Sequence, residues 1–184
     1  KAEAAATIDV QSSQLRTTEN FTAQATTTVN TSTFTTPIAA SVQRVDARAT
    51  VNVGGSSTLT VGGDAQLGAT TSVSTNATPT SALANKAGDA AVAVSDVTSV
   101  AQVRVTGTTT ATVTGKLGLT AANTVSTTSI ADAAAAGGSA AGAAVAVSVI
   151  DSTTSAVVDG QAVITAGALD LAAAARNTAI ITAK

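Results

Sequence analysis

Four leucines stand at equal intervals in this chain: Leu15, Leu67, Leu119 and Leu171, each 52 residues after the one before. Leucine is scarce here beside alanine, threonine and valine, so the spacing is not a by-product of composition. A branched apolar residue precedes each by five to seven positions: Val10, Val61, Val113 and Ile164. Two residues before those come Ile8, Leu59, Ala111 and Ala162. The segments Thr7–Val10, Thr58–Val61, Thr110–Val113 and Gln161–Ile164 are therefore read as one position in four copies of a unit. In each, two inward residues flank one outward residue, the period-2 signature of a strand. A fixed period of this length points to a stacked architecture in which each copy buries its apolar face against the next.

A second register agrees. Ala39-Ala-Ser41, Ala93-Val-Ser95 and Ala146-Val-Ser148 recur, and the longer Ala90-Ala-Val-Ala-Val-Ser95 returns as Ala143-Ala-Val-Ala-Val-Ser148. Alternating runs follow (Val100–Val105, Ser155–Val158), then glycine turns at Gly54-Gly55, Gly107 and Gly160. Further glycines at Gly62-Gly63, Gly115 and Gly167 precede three of the leucines. Glycine supplies the positive φ that turns between strands require. The near-repeats run approximately over 1–40 (degraded), 41–94, 95–147 and 148–184, within a single domain of 184 residues. A unit of 52 residues is expected to hold two or three coils of about 17–26 residues, giving about 7–10 coils in all. At about 4.8 Å per coil the stack would be about 35–50 Å long. The expected fold is all-β, a parallel β-solenoid; the alternative is a β-sandwich, pilin-like subunit joined by donor strands.

Composition supports strands over helices. Small and β-branched side chains suit a pleated strand with a narrow interior. A helix bundle needs long side chains to bridge helix axes about 8–10 Å apart. The chain has no Met, Trp, Tyr or Cys, and its aromatics are Phe21 and Phe34. Charged residues make up 11%, with net charge −2 and a sequence pI near 4.8. Basic residues are scattered and form no stripe, which argues against nucleic acid as a partner. Positive mean hydropathy, +0.35, with little charge argues against disorder.

The unit written from Gly142 to Ala172, an AVAV strand, a polar turn, a further strand and then Gly160-Gln-Ala-Val-Ile-Thr-Ala-Gly-Ala-Leu-Asp-Leu-Ala172, resembles a recurring module of very large bacterial surface exoproteins, the filamentous-haemagglutinin-like and leukotoxin-like adhesins. The resemblance covers about Ser41 to Lys184 in three copies, with a degraded fourth in Lys1–Ala40. It implies a right-handed parallel β-helix, secretion to the cell surface and an adhesive or structural role. It brings no catalytic residues. The chain departs from such modules in lacking Tyr and many of their Asn residues, so Thr and Ser ladders are expected inside the coil in place of Asn ladders.

The residue inventory leaves little chemistry. Without His or Cys the usual nucleophile–base pairs and most transition-metal sites are missing. The acids are spread out and mostly beside turns, where Asp is favoured; only Asp96/Asp151 and Asp46/Asp159 come near corresponding positions. No catalytic, cofactor-binding or metal-binding residue is assigned, and the chain is read as not an enzyme. The calcium nonapeptide of β-rolls is missing, with Gly62-Gly63-Asp64 its one fragment. Thr58-Leu-Thr60 and Thr110-Ala-Thr112 suggest a flat ice-binding row, but their equivalents Thr7-Ile-Asp9 and Gln161-Ala-Val163 break it. The threonines are read instead as outward strand residues. Asn20, Asn30 and Asn76 begin glycosylation triplets, and O-linked sugar on Thr26–Thr36 is equally open.

The uncharged stretch Ala133–Ile150 reaches the lower length of a membrane helix. Glycines, serines and the alternation of Ala143–Ile150 make it a strand, and no membrane span is expected. The chain starts at Lys1 without Met or signal peptide and is read as a mature or internal fragment. Neither terminus carries a polar cap, so the expected partners are identical copies end to end or the rest of a longer exoprotein, with host or surface glycans left open. The function expected is that of an extracellular, cell-surface structural or adhesive protein: a β-solenoid segment or self-stacking subunit of a fibre. The alternative is a glycan- or ice-binding module.

Overall fold

The structure is a computed structural model, describing residues 1–33, 40–81, 88–133 and 141–184. Eleven strands are seen among them: β1 (Ala2–Gln11), β2 (Gln14–Thr17), β3 (Phe21–Ser32), β4 (Ala40–Gly54), β5 (Thr58–Val61), β6 (Ala65–Ala77), β7 (Thr80–Ser81), β8 (Gly88–Val105), β9 (Thr110–Ala133), β10 (Ala141–Val158) and β11 (Val163–Ala183). No helix occurs among the described residues. Every described pairing is parallel. A sandwich would be built on antiparallel hairpins.

One sheet has the order β1-β4-β8-β10; the other has β2-β5-β9-β6-β3, with β11 and β7 also paired to β9. The chain alternates between the two sheets, and each passage lies beside the equivalent passage one repeat earlier. Partners are 43 or 44 residues apart between the first and second copies, as in Ala2↔Val45 and Gln14↔Thr58. They are 52 apart between the second and third (Leu67↔Leu119). They are 53 apart between the third and fourth until an irregularity at Ala166/Ala168, and 52 thereafter.

This corrects the expected coil count. Paired strands lie one whole unit apart, so the described strands stack as one layer per unit and not as the two or three coils per unit expected. The reason is strand length. β9 runs 24 residues and β8 18 without the turns that shorter coils would need.

The register also corrects the first copy. Leu171, Leu119 and Leu67 share a row, but Leu15 pairs with Leu59, and Ala23 stands beside Leu67. Thr7–Val10 pairs with Thr50–Val53. Thr110–Val113 meets Val163–Ala166, two residues beyond the segment expected. Ala93 and Ser95 do meet Ala146 and Ser148. Ser41 is two residues out of step, beside Ala93, and Ala39 lies outside the described residues.

The interior narrows from one edge to the other. Near the glycine turns, where β5 adds a third wall, it is filled by Val51, Leu59, Val61, Leu67, Leu117 and Leu119. Mid-sheet, Val29, Val73 and Val125 face Val45 and Val97. At the far edge only Ala77, Ala91, Ala93 and Ala131 fit. The Ala-Val alternation of β8 and β10 follows: alanine points inward and valine outward. Ala91 and Ala93 are fully buried, whereas Val145 and Val147 are 51% and 39% exposed.

Polar rows cross this interior. Thr27, Thr71 and Asn123 share one row, and Thr31, Thr75 and Thr127 another. Their partners come from the opposite sheet, except that the buried Thr75 hydroxyl has none. Asn123 donates through Nδ2 to the Ser99 carbonyl and to Ser152 Oγ, both at 3.0 Å, while its Oδ1 accepts from Ser99 Oγ at 2.8 Å. The Ser99 hydroxyl also lies 3.2 Å from Thr71 Oγ1 in the row of Asn123. Thr31 Oγ1 donates to Gln43 Oε1 at 2.8 Å, and Ser129 lies 3.0 Å from Ser95. The Thr and Ser ladders expected from sequence are present, with one Asn among them. The reading of the Thr-x-Thr threonines as outward residues holds for Thr58 and Thr110, while the threonines of the inner rows, Thr27, Thr71, Thr75 and Thr127, are buried.

The turns stack as well. Gly55, Gly107 and Gly160 adopt φ of 66°, 72° and 76°, and Thr108 N and Gln161 N donate to the carbonyls of Gly55 and Gly107. A Cβ on Gly107 would come within 2.5 Å of the Gly55 carbonyl oxygen. In the first copy Ser12 takes this place at φ 47°. Left-handed backbone costs a non-glycine residue roughly 1–2 kcal/mol.

Gly107→Ala is therefore expected to destabilise by about 2 kcal/mol or more, and Ser12→Gly to stabilise by about 1 kcal/mol, read as opposite shifts of the urea midpoint at constant slope. Asn123→Ala leaves Ser99 and Ser152 without their buried partner. It should cost about 2–3 kcal/mol in the same measurement, and a loss below about 1 kcal/mol would show the row to be dispensable.

Candidate functional site

The charged side chains lie on the outer faces, and four ion pairs form among the described ones. Asp46 accepts from Arg48 Nε at 2.9 Å and from Nη2 at 3.1 Å. Arg44 meets Asp96 across the strands at 2.9 Å, Lys116 meets Asp170 at 2.7 Å, and Lys1 pairs with Glu3. The two-point bond to Arg48 holds the Asp46 carboxyl below the usual carboxylate range.

The acid pairs suggested by sequence are not brought together. Asp96 stands beside Arg44 and Val149, whereas Asp46 and Asp151 flank Thr98 in one row. Asp159 belongs to the turn that carries Gly160. Among the described residues no three potential metal ligands form a group.

The one calcium-like fragment works as a staple between turns. Asp64 Oδ1 accepts from Lys116 N at 2.8 Å, its backbone N donates to Asn20 Oδ1 at 2.8 Å, and its carbonyl accepts from Phe21 N at 2.9 Å. Three layers are tied through this residue.

The threonine pairs of β5 and β9 do lie in register. Their true neighbours are Gln14 and Arg16 on one side and Val163 and Thr165 on the other. The flat row is thus broken, by other residues than expected. Of the glycosylation triplets, Asn30 and Asn76 are exposed on the outer faces of β3 and β6, while Asn20 is engaged with Asp64. Thr27 is buried and closed to modification; residues 34–36 lie outside the described residues. Of the uncharged stretch 133–150, the described part is strand, and among the described residues no helix is long and apolar enough to cross a membrane.

The outer face of β4 and β8 near the glycine turns holds a polar groove of about 460 Å³ lined by Thr50, Asn52, Gln102, Arg104, Thr106 and Asp159, with Gly107 and Gly160 at its edge. Sequence reasoning did not single out these residues. The signal available was the register, since placing Asn52 beside Arg104 and Thr50 beside Gln102 requires the 52-residue offset.

A second feature is the last strand. Leu169 and Leu171 continue the rows of Leu117 and Leu119. The earlier pair is fully buried, and the later pair is 49% and 44% exposed. Compared with protein-family models, curated proteins and solved structures, the chain matches none.

Asp46 gives a pH test. Its carboxyl is depressed on folding, so its stabilising contribution is complete above the unfolded value of about 3.9 and lost as pH falls through the folded value. Because the pair is solvated, Asp46→Asn should cost less than about 1 kcal/mol at pH 7. The difference from the parent should shrink in thermal melts as pH falls below about 3.9 and through the lower folded value; a gap that stays constant across that acid range would assign the effect to something other than the carboxylate.

Proposed function

We propose that this chain is a segment of an extracellular, cell-surface structural or adhesive β-solenoid of the kind its repeat unit resembles, one circuit per unit, and that it is not an enzyme. The observation that carries the reading is the row of half-exposed Leu169, Leu171 and Ile181 on β11, whose counterparts Leu117, Leu119 and Ser129 are buried under the next layer. A strand with an unpaired edge and an apolar inward row is a template for another parallel strand. That strand comes either from further repeats of the same polypeptide or from a second copy. Outer faces with few charges, four pairs of them matched, support a scaffold role, as does an interior closed by backbone ladders.

Two measurements test this. Electron microscopy or diffraction on oriented material should show a repeat of about 4.8 Å along the long axis; antiparallel sheets lacking that axial repeat would overturn the solenoid. Replacing Leu169 and Leu171 together by Lys should leave the monomer folded, since both side chains already meet solvent, while weakening end-to-end association in sedimentation velocity. Association undiminished by the double substitution would show that this row is not the stacking surface.

A further inference from the structure

We infer that the groove over β4 and β8 is a binding site for an acidic saccharide, a ligand presenting ring hydroxyls and a carboxylate. The inference deepens the adhesive reading and rests on it for its biological sense.

On the same outer face Arg44 and Arg48 each hold an aspartate. Arg104 is exposed in the groove and has no ion-pair partner among the described residues. A guanidinium presents a planar fork suited to a carboxylate.

Its neighbours supply the complementary half of a sugar site. Asn52 donates its Nδ2 to Asp9 at 3.0 Å, which fixes the amide and leaves Oδ1 free to accept. Gln102 donates its Nε2 to Ser155 at 3.0 Å, leaving Oε1 in the same state. Asp159 receives Gly160 N on Oδ1 at 2.6 Å and keeps its second oxygen for a hydroxyl. Thr50 and Thr106 add hydroxyls that donate or accept.

The spacing is set by the sheet. Asn52 and Arg104 are direct partners, as are Thr50 and Gln102. The four side chains therefore rise from a rectangle of about 4.8 by 6.7 Å, near the footprint of one sugar ring. Two of them are pre-oriented by existing bonds, which lowers the ordering cost of binding. The groove's volume falls within the range of small-ligand clefts.

The test is titration of the chain with oligogalacturonate by calorimetry, with a neutral cello-oligosaccharide of equal length and acetate as comparison arms. Saturable binding of the acidic oligosaccharide alone is expected. Arg104→Ala should weaken it about tenfold or more, and Asn52→Ala should weaken it measurably. Arg176→Ala removes the same charge from the other sheet and should leave binding unchanged.

Arg104 and Asn52 are surface positions, and matched thermal midpoints check that the variants fold. Four results would overturn the assignment: no saturable binding, equal binding of the neutral chain, wild-type affinity in Arg104→Ala, or an equal loss in Arg176→Ala. None bears on whether the strands stack axially, so this proposal and the structural reading fail separately.

Discussion

Parallel pairing in register is the constraint on which the rest of this structure depends. It sets each residue beside its counterpart from the previous copy, on the same side of the sheet. A row is therefore one choice made four times. A large residue in an inward row needs room at every level, and a polar one calls for a partner at each level, which Thr75 alone in its row lacks. The leucine, valine and alanine zones of the interior are the outcome. So is the placing of buried polar groups opposite hydroxyls or amides of the other sheet, as Asn123 faces Ser99 and Ser152, or beside turn carbonyls, as with Ser57 and Thr109.

The same rule explains which parts of the fold the sequence disclosed. All-β structure, the turns at Gly55, Gly107 and Gly160, and the equivalence of Leu67, Leu119 and Leu171 were legible because rows repeat residue types. Leu15 misled because the return from β3 to β4 is shorter than the equivalent one in the next copy: Ser32 to Ala40 spans eight residues where Asn76 to Val92, their partners, spans sixteen. A constant 52-residue period therefore overran the true register by eight. The coil count failed for a different reason. Spacing fixes the period of a stack but not the number of turns within one period. That depends on how far a strand runs before it bends, and nothing in an Ala/Thr/Val run marks a bend.

The direction of the Ala-Val alternation was also invisible in one dimension. Valine is the more apolar residue, yet it faces outward at Val145 and Val147 because the sheets there are too close to admit it. Packing volume overrides hydrophobicity when the opposing wall is fixed by the rows above and below. The groove around Arg104 belongs to the same class of feature. Its residues come from three copies, and none of them is informative until the copies are laid side by side.

The stacked turns carry a mechanical consequence. In this arrangement the hydrogen bonds between layers point along the stack, so a pull on its two ends loads them in tension and not in shear. Bonds so loaded yield one after another along a strand, as a zip opens, instead of resisting together. Staples such as Asp64, which ties the turns of the first, second and third copies, sit where such a tear would have to pass. They divide a long, weak line into short segments, each of which must be opened before the next is strained.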